Sequence, residues 1–444
     1  MSSRRKPRVS KVPVTARVEK LSHDGRGLAR IDGKATFIDG ALAGELVTFE
    51  LLRKKRDFDE GRVLSVEEPS SDRVEPKCAH HGVCGGCSLQ HLNPDIQIHE
   101  KEKLVLELLM RIGHLEPKHV APALSASSIW HYRNRARLSV SFVRKKGRVL
   151  IGFREKHQGR YVADIQQCSI LHEKVGTSLD ALSKLLGSMD DPQIFPQIEV
   201  AAGDDVIALV FRHLSDLSDA DKAKFRAFSD ATDFRIFLQP AGMDSVKLFY
   251  PEGDDTLSYQ LPDQNINFSF YPTDFTQVNS GLNRKMVTQA LDWLELTSDD
   301  GVLDLFCGLG NFSLPLATRC ARVVGVEGSD TMVERATANA LRNNITNTQF
   351  FCANLDDEEA LLPLKQHGCN KLLVDPPRTG AFAIVKKIQH INPESVLYVS
   401  CNPATFARDA EVLNEQGYTL EKLGVMDMFP HTTHVEVMGL FKKR

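Results

Sequence analysis

The residues best placed for chemistry lie in the stretch Leu397-Tyr398-Val399-Ser400-Cys401-Asn402-Pro403-Ala404-Thr405. The apolar run from Ser395 to Val399 reads as a buried strand, and it stops at a thiol followed by Asn-Pro. In an open α/β sheet, ligands meet the protein outside the carboxyl ends of the strands. A cysteine there stands where a nucleophile would, although a buried cysteine taken alone is more often a small hydrophobe. Its company changes that balance. Leu372-Leu373-Val374-Asp375-Pro376-Pro377-Arg378 is a second apolar strand ending in Asp-Pro-Pro, and Glu436 opens the last predicted strand, where it can face Cys401. A thiol with a carboxylate nearby suits methylation of a pyrimidine at C5. The thiolate adds to C6, C5 becomes a nucleophile, and a base removes the C5 proton afterwards.

The methyl donor needs its own site. Val302-Leu303-Asp304-Leu305-Phe306 reads as a strand, Cys307-Gly308-Leu309-Gly310-Asn311 as a glycine loop, and Phe312 onward as a helix. Arg322 to Glu327 reads as the next strand and ends in an acid, which suits the two hydroxyls of a ribose. Glycines let the backbone pass close beneath a ligand at a helix N-terminus. The third glycine of the dinucleotide fingerprint is missing, because Phe312 and Ser313 stand in its place. Asp304 inside the first strand followed by Gly-x-Gly resembles the S-adenosylmethionine (SAM) site of class I methyltransferases. Gln349 to Ala353, the Asp375 strand, the Cys401 strand and a hairpin across 419–443 complete such a sheet. Alternation of strands and helices from about Phe275 predicts that it is parallel.

Cys78-Ala79-His80-His81-Gly82-Val83-Cys84-Gly85-Gly86-Cys87 is a different kind of site. Three cysteines at C-x5-C-x2-C spacing, with Cys168 as a distant fourth, offer soft sulfur ligands for Zn²⁺ or an iron–sulfur cluster, and spacing does not choose between them. The spacing of radical SAM enzymes is absent. Four thiolates would close the site and tie the loop to a distant strand.

The elements that carry these groups fall into a long, soluble-type chain of 444 residues, 42% hydrophobic and 25% charged. That length predicts two or three domains. Its net charge of −3 conceals a basic front: residues 1–165 hold 31 Lys/Arg against 20 Asp/Glu, and the remainder 24 against 38. A basic front half predicts a polyanion partner. Nine cysteines without a secretory leader or an apolar span predict a cytoplasmic protein with no membrane segment. Ser3 to Lys11 reads as a basic arm. Val14–Val18, Ala35–Ile38 and Leu46–Leu51, separated by glycines, predict a small β-barrel whose last hairpin carries Arg53-Lys54-Lys55-Arg56 as a phosphate contact. Residues 131–160 hold ten Lys/Arg and one Glu, with Arg133, Arg135 and Arg137 on one face of a strand. At roughly 3.3 Å per residue they form a ridge about 13 Å long, predicted to follow a phosphate backbone. Alternating strands and one helix are predicted across 170–265.

Two resemblances follow from these words. His23-Asp24-Gly25-Arg26-Gly27-Leu28-Ala29 and Ile38-Asp39-Gly40-Ala41-Leu42-Ala43-Gly44-Glu45 resemble the TRAM domain, an RNA-binding barrel. That barrel, the four cysteines, Phe275-Thr276-Gln277-Val278-Asn279, Leu303 to Leu316, the Asp375 and Cys401 segments and the Glu436 segment together resemble the RNA uracil-C5 methyltransferase family. Among its branches the resemblance is to the one that modifies 23S ribosomal RNA. It implies a multi-domain α/β protein in three parts: a TRAM (OB-like) barrel at 10–68, a central α+β cluster-bearing domain with a basic RNA-binding face at 69–270, and a class I SAM-dependent, Rossmann-like methyltransferase domain at 271–444. It also implies a monomer, a [4Fe–4S] cluster on Cys78, Cys84, Cys87 and Cys168, and SAM contacts from Gln277, Phe306, Asn311, Glu327, Asn354 and Asp375. Cys401 is implied as nucleophile and Glu436 as base. Phe406 stands where the family pattern has Leu, and Thr433 where it has Gly. Two rival readings remain: cytosine-C5 methylation, for which no group facing N3 is identified, and a cluster-bearing RNA-binding protein without catalysis.

Overall fold

Alternating short strands and glycine turns at the N-terminal end fold as their pattern predicts. The computed structural model describes residues 12–355, 357 and 366–444; the basic arm Ser3 to Lys11 lies outside the described residues. Strands β1 (Val14–Arg17), β2 (Lys20–Leu21), β3 (Gly27–Ile31), β4 (Lys34–Asp39), β5 (Leu46–Lys54) and β6 (Phe58–Glu68) form a sheet in the order β1-β5-β6-β4-β3-β2. The sheet curls into a barrel, with the Glu19 N–H donating to the Leu28 carbonyl at 2.7 Å. Val18, Ala29, Ile38, Val47 and Phe49 fill its interior. Gly61 on β6 is required there, because a Cβ would lie 2.7 Å from the Phe49 ring.

The described chain divides into two compact units. The first holds the chain up to Glu100, together with Arg154–Tyr161 and Pro430–Thr433. Within it the cysteine loop is laced to the 154–161 segment: the Gly85 N–H donates to the Arg154 carbonyl and the Lys156 N–H to the Val83 carbonyl, both at 2.8 Å. Lys156 and His157 then reach the buried carboxylate of Asp39 on the barrel. His431 is buried in this unit with a left-handed φ of +66°. Its N–H donates to Gln97 Oε1 at 2.8 Å, and its carbonyl accepts from Ser88 and Leu89 at 2.8 and 2.9 Å. Thr433 occupies the position left by a glycine on the barrel: its methyl carbon lies 2.7 Å from where a Cβ on Gly25 would stand.

The second unit begins at Lys101, within the helix Pro94–Leu108, and its first strand is β7 (His119–Val120). Strands β8 (Arg135–Val143), β9 (Arg148–Gly152), β10 (Gln197–Ala202), β11 (Ile207–Arg212), β12 (Phe234–Gln239) and β13 (Lys247–Tyr250) make one sheet, ordered β13-β12-β11-β10-β8-β9. The hairpin β14 (Leu257–Leu261) and β15 (Ile266–Phe270) follows. Helices Glu173–Thr177, Leu179–Gly187 and Asp219–Thr232 stand where a single helix is predicted. On β8 the predicted period of two holds, with Ala136, Leu138 and Val140 buried. The predicted open ridge holds at Arg137, whose side chain is exposed, and not at Arg135. Arg135 donates to the carbonyls of Pro272 and Asp274, Arg133 Nε donates to the Arg135 carbonyl at 3.0 Å, and β10 sets Glu199 beside Arg137 at 2.9 Å. Internal carbonyls and a cross-strand carboxylate take up donors predicted for phosphates.

The remaining strands are β16 (Gly301–Leu305), β17 (Arg322–Glu327), β18 (Thr348–Cys352), β19 (Lys371–Val374), β20 (Ser395–Ser400), β21 (Tyr418–Met426) and β22 (Glu436–Lys443). With β7 they give the order β18-β17-β16-β19-β20-β22-β21-β7, parallel from β18 to β20 and antiparallel at β22. The runs in β16, β17, β19 and β20 are near-continuously apolar because both faces are buried. This is the class I methyltransferase sheet, and its strand order reverses beside β16. Among the described residues no helix is long and apolar enough to cross a membrane.

Candidate functional site

Cys401 is the first residue beyond β20 and is half-buried. Asn402 caps the helix Pro403–Glu415 by accepting from the Ala404 N–H at 3.1 Å, and Pro403 stands at its first position, so the thiol is fixed between strand end and helix start. In the antiparallel ladder Ser400 pairs with Val437. One step further sets Cys401 across from Glu436, and residues so opposed have Cβ atoms about 4.5–5.5 Å apart. Asp375, one residue beyond β19, belongs to the same group. Burial, then Glu436, then Asp375 push the Cys401 thiol up to about 11, while Arg378 pulls it down. Burial and Asp375 push Glu436 up to about 8, and burial alone pushes Asp375 to about 7.

At the switch point, Phe306 turns the chain with a φ of +64°, and Gly308 and Gly310 follow at +54° and +93°. Phe306 and Cys307 donate their N–H groups to the Val326 carbonyl at 2.9 and 3.2 Å, which binds the loop to β17. Glu327, at the end of β17, accepts from the Gly308 N–H at 3.0 Å and the Gly328 N–H at 2.7 Å. Asp304 is buried, accepts from the Ser313 hydroxyl at 2.5 Å, and is pushed up to about 7 by burial. Asn311 exchanges hydrogen bonds with Asn283 at 2.9 and 3.0 Å and accepts from the Tyr259 hydroxyl at 2.9 Å. Gln277 lines a cavity with Tyr259 and Asn283, the partners of Asn311. Asn354 is exposed, two residues beyond β18.

Several supporting residues escaped the sequence reading. Arg335 donates to Asp274 at 3.0 Å and lies over the Tyr271 ring at 3.9 Å, fixing the loop that leads to Gln277. Arg378 Nη2 lies 3.3 Å from His434 Nδ1, the Phe429 ring is 5.3 Å from that imidazole, and Arg133 stands 5.9 Å over Phe429. Burial, Arg378, Lys101 and Arg133 together hold the His434 pKa down. Helical or strand periodicity carries no signal for these pairs, since each joins distant segments. Phe406, in place of Leu, is accommodated beneath Gly439, whose Cβ would lie 2.6 Å from the ring.

The four predicted metal ligands are divided between the two units. Cys78, Cys84 and Cys87 lie in the first unit and Cys168 in the second. Cys84 Sγ accepts from the Gly86 N–H at 3.4 Å, and the Cys78 N–H is engaged by Gln90 at 3.1 Å. Among the described residues no group of three or more His, Cys, Asp or Glu is gathered closely enough to hold a metal ion. The four thiols have the soft donor chemistry that a cluster takes.

Comparison with known proteins agrees with the sheet and the barrel. A family model described as tRNA (Uracil-5-)-methyltransferase matches residues 94–444, and a TRAM domain model matches residues 13–64. The 23S rRNA (uracil(1939)-C(5))-methyltransferase RlmD of Legionella pneumophila (strain Paris) is 54% identical over 440 residues, covering 99% of each chain. The protein of the same name from Nitrosococcus oceani is 49% identical over 442 residues, covering 99% of this chain and 98% of the relative. Among solved structures, the Pyrococcus abyssi tRNA (uracil-54, C5)-methyltransferase in complex with S-adenosyl-L-homocysteine superposes with a TM-score of 0.73 at 25% identity, over 96% of this chain and 100% of that one.

Proposed function

Because the chain belongs to the tRNA (uracil-5-)-methyltransferase family and carries a TRAM domain, we propose that it methylates C5 of a uracil in 23S ribosomal RNA, using SAM. The observation that carries this reading is the register of β20 on β22, which sets Cys401 across from Glu436 with Asp375 electrostatically coupled to both. The choice of RNA follows the relatives at 49–54% identity, named for uracil 1939 of 23S rRNA, over the solved structure at 25%, named for uracil 54 of tRNA.

Bound SAM supplies an electrophilic methyl group. Gln277, Phe306, Asn311, Glu327, Asn354 and Asp375 would hold it, Glu327 by accepting from the ribose hydroxyls. Cys401 Sγ bonds to C6 of a uracil flipped out of the RNA fold, at a cost of about a few kcal/mol. The C5=C6 electron pair moves out toward O4; the resulting enolate attacks through C5, forming the C5–CH3 bond as the methyl–sulfur bond breaks and S-adenosylhomocysteine leaves. Glu436 then removes the C5 proton, the double bond re-forms and Sγ leaves as thiolate. Arg378 favours the thiolate on which the first step depends. Work is divided along the chain: 10–68 binds RNA as a barrel, 69–270 contributes basic residues and the cysteines, and 271–444 performs the chemistry, in a monomer.

The cysteines Cys78, Cys84, Cys87 and Cys168 are proposed to hold a [4Fe–4S] cluster, supported by the family resemblance and the soft donor set. No step of the reaction passes through it. Protein purified without oxygen should carry iron and acid-labile sulfide; a colourless zinc protein would end this part of the proposal.

The reaction is tested with 23S RNA containing 5-fluorouridine, whose C5 substituent does not leave as a proton. Incubation with SAM should give a denaturation-resistant adduct on Cys401, and mapping its RNA end names the uridine. A map to transfer RNA in competition would change the substrate. No adduct, with SAM binding intact, would overturn the mechanism.

A further inference from the structure

Asp409 lies on the helix Pro403–Glu415, is fully buried, and has no part in the chemistry assigned above. Its Oδ2 accepts from the Ala381 N–H at 2.8 Å and the Tyr398 hydroxyl at 2.6 Å, and its Oδ1 accepts from Arg408 Nε at 2.8 Å. Ala381 closes the loop that starts at Asp375, and Tyr398 lies on β20, three residues before Cys401. One carboxylate therefore ties the strand that presents the thiol to the loop that presents Asp375 and Arg378. The same side of the helix continues the stitching. Arg408 Nη2 donates to the Thr379 carbonyl at 3.0 Å, while Thr405 Oγ1 and Asn402 Nδ2 donate to the Arg378 carbonyl at 3.3 and 3.0 Å. Positions 402, 405, 408 and 409 recur at helical spacing, so they share one face.

Gly380 completes the device. Its φ is +79°, and a Cβ there would lie 2.5 Å from Asp409 Oδ2 and 2.6 Å from Arg408 Nη2. A side chain at 380 would both strain the turn and displace the carboxylate. The groups around Asp409 are donors, so an amide in its place would turn an N–H₂ toward another donor and leave a buried group unpaired.

We propose that Asp409 is a positioning residue for methyl transfer, holding the loop Asp375–Ala381 against β20 so that Asp375 and Arg378 keep their places beside Cys401. This rests on the assignment of Cys401 as nucleophile. A displacement of about 1 Å in such an arrangement lowers rates by up to about a hundredfold.

The test uses the full chain carrying Asp409→Asn, Gly380→Ala or Tyr398→Phe. Adduct formation on 5-fluorouridine RNA, SAM affinity by calorimetry and the melting temperature are measured together. Asp409→Asn and Gly380→Ala should slow adduct formation about 10- to 100-fold while SAM affinity falls by clearly less, because of the six residues proposed to hold SAM only Asp375 lies in the displaced loop. Tyr398→Phe, which removes one donor of the three, should slow it less. Wild-type adduct rates in the two main variants would overturn the proposal, as would equal losses of SAM affinity and rate. If Asp409→Asn does not fold, Gly380→Ala decides. Failure of the wild-type protein to form any adduct would instead remove the Cys401 assignment, and the positioning role with it.

Discussion

Glu436, Asp375 and Cys401 hold protons more tightly in this fold than in water, because burial disfavours their charged forms and, at Cys401 and Glu436, neighbouring carboxylates add to it. The sign for stability follows. Glu436 has an ordinary value of 4.5 and about 8 when folded, so the folded state binds the extra proton across that window. Its favourable contribution is complete below about 4.5 and is lost as pH rises through about 8. Glu436→Gln should therefore stabilise the protein at pH 8 by about 1–3 kcal/mol relative to wild type, with the difference vanishing near pH 4.5. Melting curves across pH check this, and an unchanged difference would remove burial as the cause. The same variant should accumulate the Cys401–RNA adduct on natural uridine, since proton removal releases the thiol; normal turnover would exclude Glu436 as base. For the free wild-type enzyme, kcat/KM should climb through about pH 8 as Glu436 ionises. Cys401→Ala should leave SAM binding intact and abolish methylation.

Elements, unlike side-chain networks, were legible from periodicity. Arg322–Glu327 was bounded at both ends by its apolar run and closing acid, and the Asp304 strand was found to within a residue. Phe306 left that strand because the chain turns there with a positive φ, which an aromatic side chain does not announce. Cys401, Glu436 and the glycine loop are expected at strand ends, where ligands meet an open sheet, and each stands at one. Asp409, Arg335 and His434 are not so expected, since their partners lie far away in sequence and only the fold reveals them. The arginine face of β8 is a face, open at Arg137 and closed at Arg135, because the carbonyls over Arg135 come from the loop at 272–274. That loop gives a prediction at this scale. Arg335→Ala removes the ion pair to Asp274 and the cover over Tyr271, and should weaken SAM binding about tenfold, near 1.4 kcal/mol, with RNA affinity unchanged. Calorimetry with each ligand separates the two, and an equal loss of RNA affinity would point to a wider disturbance.

At the scale of the molecule, attraction for RNA is unevenly spread. Residues 12–68 carry ten Lys/Arg against eleven Asp/Glu, and many pair within the barrel, such as Arg17 with Glu68, Lys34 with Asp59, and Arg53 and Lys55 with Glu60. With RNA as the proposed substrate, the barrel is expected to act by shape and hydrogen bonding, and the long-range pull to come from Arg4, Arg5, Lys6, Arg8 and Lys11 and from residues 131–160. Deleting residues 1–11 should flatten the salt dependence of RNA binding by a slope of about 3–4, taking roughly 0.7 per phosphate contact on single strands. An unchanged slope would assign the attraction elsewhere. The position of His431 bears on a separate matter, the exchange of parts between relatives. The unit that contains the barrel also contains Pro430–Thr433, with His431 kept in its left-handed turn by Gln97, Ser88 and Leu89 and with Thr433 filling the space above Gly25. Glu436 is three residues further along. A hybrid made by joining one relative's first hundred residues to another's remainder would divide this small jigsaw between two parents, although the junction itself would look clean. Pieces that are inherited as a block in space are here scattered along the gene, and a graft that keeps this block whole must carry 430–433 and 154–161 together with the barrel.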